Sequence, residues 1–209
     1  MKILSVDPRE PAEEVIRQAA EILEAGGVCG LPTETFYGLA VDPFNPDALL
    51  RLNKLKGKAS GEPVLLLAAD LSQVALVAGT GSRLFRALAH EFWPGPLTLV
   101  LPMLPETPDE IAPGRGTVAV RVPGLALPRL LAARLGRPIS GVSANLHDQP
   151  PCHEAAEVAQ LFPDELELVL DGGIAPGKAP SSILDLSGHE AKLLREGAIP
   201  AATLERFLH

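Results

Sequence analysis

The chain has 209 residues, 46% hydrophobic and 21% charged, which fits a globular domain able to bury its own core and excludes a disordered chain. Its net charge of −8 excludes a broad nucleic-acid-coating face, because neutralising phosphates over a large surface needs a basic one. The 19 Gly and 21 Pro are dispersed between periodic segments, where they act as turn punctuation.

Met1-Lys2-Ile3-Leu4-Ser5 turns polar at Asp7-Pro8-Arg9-Glu10 with no signal-peptide core, so the expectation is a cytoplasmic protein. Helical spacing of Val15, Ile16, Ala19, Ile22 and Leu23 predicts a helix over residues 11–25, with Pro11 near its start and Gly26-Gly27 as its stop. Val28-Cys29-Gly30-Leu31 reads as a short buried strand, and residues 32–38 read as a loop dense in hydroxyls. Asn45-Pro46 caps a helix that carries Leu49, Leu50 and Leu52 towards Lys54. Pro63-Val64-Leu65-Leu66-Leu67-Ala68 is a continuous apolar run, as a central strand would be. Helices are expected over residues 71–77, 82–92, 127–135, 154–161 and 201–208. Strands are expected over residues 97–101, 117–122, 139–142, 166–170, 183–186 and 191–194. This intermixing, with no repeat and no linker, predicts one α/β domain over residues 1–209, built on a twisted mixed sheet flanked by helices around a concave cavity.

Polar groups gather where strands end. Pro32-Thr33-Glu34-Thr35 would stand at a strand's carboxyl end, where α/β sheets collect ligands, although a hydroxyl-capped turn uses the same residues. Lys54, Lys56 and Lys58 hold half of the six lysines; they are either a solvated helix end or a phosphate-facing loop opened by Gly57. Ser143-Ala144-Asn145 follows another strand. Alternation puts Thr117 and Arg121 on one strand face, and a buried Arg there needs either a ligand carboxylate or a structural acid. Ser181 precedes a strand and Arg195 ends one. Neither GxGxxG nor GxxxxGK[ST] occurs, so a bound nucleotide would need another cradle. His147, Cys152 and His153 match no zinc spacing, no GxSxG elbow exists, and Cys29 and Cys152 read as buried reduced thiols.

Leu31-Pro32-Thr33-Glu34-Thr35-Phe36-Tyr37-Gly38-Leu39, Phe92-Trp93-Pro94-Gly95-Pro96-Leu97-Thr98, Val118-Ala119-Val120-Arg121-Val122-Pro123, Ser143-Ala144-Asn145 and Leu194-Arg195-Glu196-Gly197-Ala198-Ile199 occur in that order. Together, from about Ala19 to Pro200, they resemble the YrdC-like family, whose members make threonylcarbamoyl-AMP for tRNA modification. The resemblance implies L-threonine, bicarbonate and ATP as substrates, with Mg²⁺, and tRNA or tRNA-modification proteins as partners. It implies that Thr35, Arg121 and Ser181 hold threonine. It implies that Lys56, Lys58, Thr117, Ser143, Asn145 and Arg195 contact ATP, with no metal-ligating residue. The sequence departs from the family's pattern at Lys58 for Arg, Glu62 for Asn, Leu67 for His and Gly141 for a hydroxyl residue. These departures leave open a non-catalytic or weakly active paralogue that binds nucleotide or RNA, or an enzyme using a different amino or carbamoyl substrate.

Overall fold

The computed structural model describes residues 1–57, 62–146 and 149–208. The strands in chain order are β1 (Lys2–Ser5), β2 (Cys29–Pro32), β3 (Tyr37–Ala40), β4 (Leu66–Leu67), β5 (Leu97–Pro102) and β6 (Thr117–Arg121). They continue as β7 (Ile139–Ser140), β8 (Val142–Ser143), β9 (Leu168–Asp171), β10 (Ser182–Asp185) and β11 (Lys192–Arg195). The helices are α1 (Glu13–Glu24), α2 (Pro46–Leu55), α3 (Leu71–Val74), α4 (Arg83–Phe92), α5 (Ala126–Leu135), α6 (Ala155–Leu161) and α7 (Ala201–Glu205).

Among the described residues these strands form two mixed sheets, of order β1-β9-β2-β3-β8 and β11-β10-β5-β6-β4-β7. In the first, β1 and β2 flank β9 in parallel, and β3 runs antiparallel to both β2 and β8. In the second, β10 lies parallel to β5 and β4 parallel to β6, while β5 and β6 pair antiparallel.

Side-chain alternation assigns the faces. Leu97, Leu99 and Leu101 of β5 and Val118 and Val120 of β6 enter the larger apolar core. Their neighbours Thr98, Val100, Ala119 and Arg121 point the other way, into a cavity. A second apolar cluster joins α1 to α5: Ile16, Ala19, Ala20 and Leu23 recur at helical spacing and meet Leu127, Leu131 and Leu135. Local signals set the helix starts. The Asn45 side chain accepts the N–H groups of Asp47 and Ala48 at 3.0 and 3.2 Å, and Ser82 Oγ accepts the Phe85 N–H at 2.9 Å. No helix among the described residues is long and apolar enough to cross a membrane.

Three expectations change. The segment read as a loop over residues 32–38 turns back at Phe36, so β3 begins at Tyr37. Of the apolar run at 63–68 only Leu66–Leu67 is strand, squeezed between β6 and β7. Residues 139–142 are not one strand: Ser140 closes β7 in the six-stranded sheet, and Val142 opens β8 in the five-stranded one. Gly141 makes the crossing. Its N–H donates to Leu65 O at 2.8 Å, and a Cβ at this position would overlap the Leu67 side chain. Ser140 locks the junction, because its buried hydroxyl accepts the Val41 N–H at 2.8 Å and donates to Leu39 O at 3.1 Å.

Candidate functional site

Where the sheets meet they enclose a cavity of about 620 Å³. The five-stranded sheet contributes the β2–β3 turn, with Thr33, Thr35 and Phe36, and Ser143 of β8. The six-stranded sheet contributes Thr98, Arg121, Ser181 and Arg195. Among the described residues no Asp, Glu or His lines it, and the charged groups they bring to this space are two guanidinium groups.

Thr33 shapes the β2–β3 turn. Its Oγ1 accepts the N–H of Thr35 at 3.1 Å and of Phe36 at 3.3 Å, a side-chain turn that holds Thr35 in place. Thr33 and Thr35 hydroxyls share a hydrogen bond at 2.9 Å. Across the cavity Thr98 and Ser181 hydroxyls pair at 2.9 Å. Arg195 donates through Nε and Nη2 to Ser181 O at 3.0 and 2.9 Å, and through Nη2 to Ser181 Oγ at 3.2 Å. Serine and arginine are therefore tied together on the β10–β11 wall.

Arg121, at the end of β6, is 3% exposed and its Nη1 stands 3.4 Å from Thr35 Oγ1 and 3.4 Å from Glu34 Oε1. Its Nε has no hydrogen-bond partner among the described residues. Burial pushes the guanidinium below its ordinary value, and the Glu34 carboxylate opposes that shift. Arg195 moves the same way, through burial first and the like charge of Arg121 second. An arginine in this state is a strong receptor for an anion, above all a carboxylate that can take two parallel N–H groups.

Thr35, Arg121, Ser143, Ser181 and Arg195 thus come together around one space. Thr117 is not among the lining residues: it starts β6, opposite Pro102, about 13 Å along the strand from Arg121. Lys56 is buried beneath the β8 loop, where its ammonium donates to Ser143 O at 2.7 Å, to Asn145 Oδ1 at 2.6 Å and to Asn145 O. Asn145 is held further by Ser143 Oγ at 2.9 Å and by its own amide donating to Gln149 O at 2.6 Å. Lys56 and Asn145 accordingly brace the loop that carries Ser143, and neither is among the cavity-lining residues. Lys58 and His147 lie outside the described residues. Leu67 joins the apolar cluster between α1 and α5 rather than the cavity wall.

Thr98 and Phe36 line the cavity without having been singled out as ligand contacts in the sequence, and Thr33 lines it from within the stretch already placed at a ligand-collecting strand end. One signal was available for Thr98: it is the lone hydroxyl in Leu97-Thr98-Leu99-Val100-Leu101, on the face opposite three leucines. Tyr37 also borders the space, and burial pushes its phenol up to about 12, so it stays protonated while donating to Gly173 O at 2.7 Å. Burial likewise pushes the Cys152 thiol up to about 11.

The fold and the cavity define a class: a two-sheet α/β protein with an arginine-walled, hydroxyl-rich pocket at the sheet junction. Residues 21–197 match the Sua5_yciO_yrdC family model, described as telomere recombination, and the chain belongs to that family. A threonylcarbamoyl-AMP synthase of Pyrococcus abyssi is 35% identical over 204 residues, 97% of this chain and 60% of its own length. One from Thiobacillus denitrificans is 38% identical over 173 residues, 83% of this chain and 90% of its own. The chain therefore spans about three fifths of the archaeal relative and most of the bacterial one. The crystal structure of P. abyssi Sua5 complexed with L-threonine superposes with a TM-score of 0.94 at 34% identity, covering 100% of this chain and 61% of that one.

Proposed function

We propose that this chain is a threonylcarbamoyl-AMP synthase, converting L-threonine, bicarbonate and ATP to threonylcarbamoyl-AMP, pyrophosphate and water for tRNA modification. The observation that carries the reading is Arg121, buried with an unpartnered Nε at the edge of a cavity that Thr35 and Ser181 also line. The L-threonine carboxylate lies against Arg121, and the hydroxyls of Thr35 and Ser181 hold the amino acid's polar groups. The complex of P. abyssi Sua5 with L-threonine supports this choice of amino acid.

ATP occupies the remainder, with Ser143 and Arg195 at the cavity and Lys56, Lys58, Thr117 and Asn145 as further contacts. Lys56 reaches phosphate only by giving up carbonyl partners in the 143–145 loop, so nucleotide binding and loop position are coupled. Among the described residues no cluster of three or more His, Cys, Asp or Glu suits a metal. Mg²⁺ enters with the ATP phosphates as part of the substrate.

The threonine amine adds to the carbon of bicarbonate and gives a carbamate with loss of water. A carbamate oxygen then attacks the α-phosphorus, and the bond to the β-phosphate oxygen breaks, releasing pyrophosphate. Among the described residues the cavity wall offers no carboxylate or imidazole for proton transfer. Its contribution is positioning and the neutralisation of negative charge by Arg121 and Arg195. Residues 1–209 act as one domain in this reading, because the pocket needs walls from both sheets.

The test follows pyrophosphate release with each substrate omitted in turn. Release that requires threonine, bicarbonate and ATP together supports the reading; release indifferent to threonine refutes it.

A further inference from the structure

Glu34 stands behind the cavity wall, bordering a neighbouring cleft of about 510 Å³ that Arg9 and Arg129 also line. Its side chain is 14% exposed, yet both carboxylate oxygens are shielded from solvent and neither accepts a hydrogen bond among the described residues. The separation of 3.4 Å from Arg121 Nη1 exceeds the roughly 2.7–2.9 Å of a charge-assisted bond. The pair is therefore electrostatic and loose.

The fold keeps it so. The Thr33 hydroxyl fixes the turn from one side. From the other, Gly177 lies so close that a Cβ there would overlap Thr35 O and stand 2.7 Å from Glu34 O. The Cβ position of Gly124 is 3.3 Å from Glu34 Cγ. The backbone of Glu34 is thus packed tightly behind the wall, and its side chain lies on the side of the neighbouring cleft rather than among the cavity-lining residues.

We propose that Glu34 is the internal counter-ion of Arg121 in the ligand-free cavity, and that an amino-acid carboxylate binds by taking Arg121 over from it. Glu34 then sets amino-acid affinity without touching the ligand. The proposal rests on the cavity being an amino-acid site. A guanidinium this buried needs an opposite charge in the empty protein, so the arriving carboxylate competes with one already present. A pair without hydrogen bonds is readily surrendered, and Glu34 keeps the positive flank of Arg9 and Arg129 when it is. Removing its charge leaves Arg121 buried alone until ligand arrives, so stability and affinity shift in opposite directions. A merely structural residue would lower both.

The experiment compares the full chain with Glu34→Gln by calorimetric titration and thermal melting, using L-threonine and L-threoninol, which lacks the carboxylate. The expected result has four parts: a lower ligand-free Tm for the variant, a larger Tm rise with L-threonine, at least fivefold tighter L-threonine binding, and equal L-threoninol affinity in both proteins. Should Glu34→Gln fail to fold, Glu34→Asp retains the charge one methylene further back, and L-threonine should bind it about twofold tighter than wild type. Binding by the wild type with equal or weaker binding by the folded variant overturns the proposal alone. Absence of L-threonine binding in both overturns the amino-acid reading and the proposal with it.

Discussion

The guanidinium of Arg121 carries five N–H groups into a setting where, among the described residues, it meets only Thr35 Oγ1 and the Glu34 carboxylate, both at 3.4 Å. Its contribution lies in geometry as well as charge. Arg121→Lys keeps the charge and loses the planar fork, so KM for L-threonine should rise roughly 10- to 100-fold, as hydrogen bonds to charged groups are worth about 1.5–3 kcal/mol. KM for ATP should move much less, and steady-state kinetics with each substrate varied checks the split. Arg121 was legible in the sequence because an arginine in an alternating apolar strand demands a partner. What that partner would be was not legible. Glu34 lies 87 positions away, and nothing in Pro32-Thr33-Glu34-Thr35 says which of its polar groups faces the cavity and which stands behind it. Thr98 escaped for a related reason: a single hydroxyl among leucines carries no spacing, and only the partner strand β10 gives it Ser181.

At the scale of elements, the junction between the sheets depends on two residues that already looked unusual in sequence, Leu67 and Gly141. The structure makes them steric complements: the Leu67 side chain fills the space a Cβ on Gly141 would need. Gly141→Ala should therefore cost about 1–3 kcal/mol through overpacking, whereas Leu67→Ala alone should cost about 2–5 kcal/mol through a cavity. The double variant should cost at least 1 kcal/mol less than the sum, which denaturant titration of the four proteins measures. Reading residues 139–142 as one strand failed here, since periodicity records that a segment is extended and not which sheet it joins. Helix starts fared better, because caps are local chemistry. Asn45 and Ser82 each satisfy N–H groups of the first turn, and Asn45→Ala should lower stability by about 1 kcal/mol. Lys56 belongs to this scale too. Its ammonium fastens the end of α2 to the loop after β8, so Lys56→Met should lower Tm as well as weaken ATP binding. A variant that weakened ATP binding without any loss of stability would contradict the bracing role.

For the whole molecule, the cavity exists only where the two sheets converge, so a ligand there binds the folded state alone and stabilises it by mass action. The acidic net charge of −8 surrounds a pocket that, among the described residues, is bordered by the charges of Arg121 and Arg195, an arrangement that concentrates anion affinity in one place. The α/β class and the motif order that marks the family were readable along the chain. The split into two sheets was not, because it depends on pairings such as β10 with β5 and β1 with β9 that link distant segments. The central claim is that this pocket joins L-threonine, bicarbonate and ATP. Its most direct test is pyrophosphate release by purified protein supplied with ATP and bicarbonate, with and without L-threonine, alongside Arg121→Ala. The account predicts release that depends on L-threonine in the wild type and falls at least 100-fold in the variant. Threonine-independent release, or equal rates in the two proteins, would contradict it.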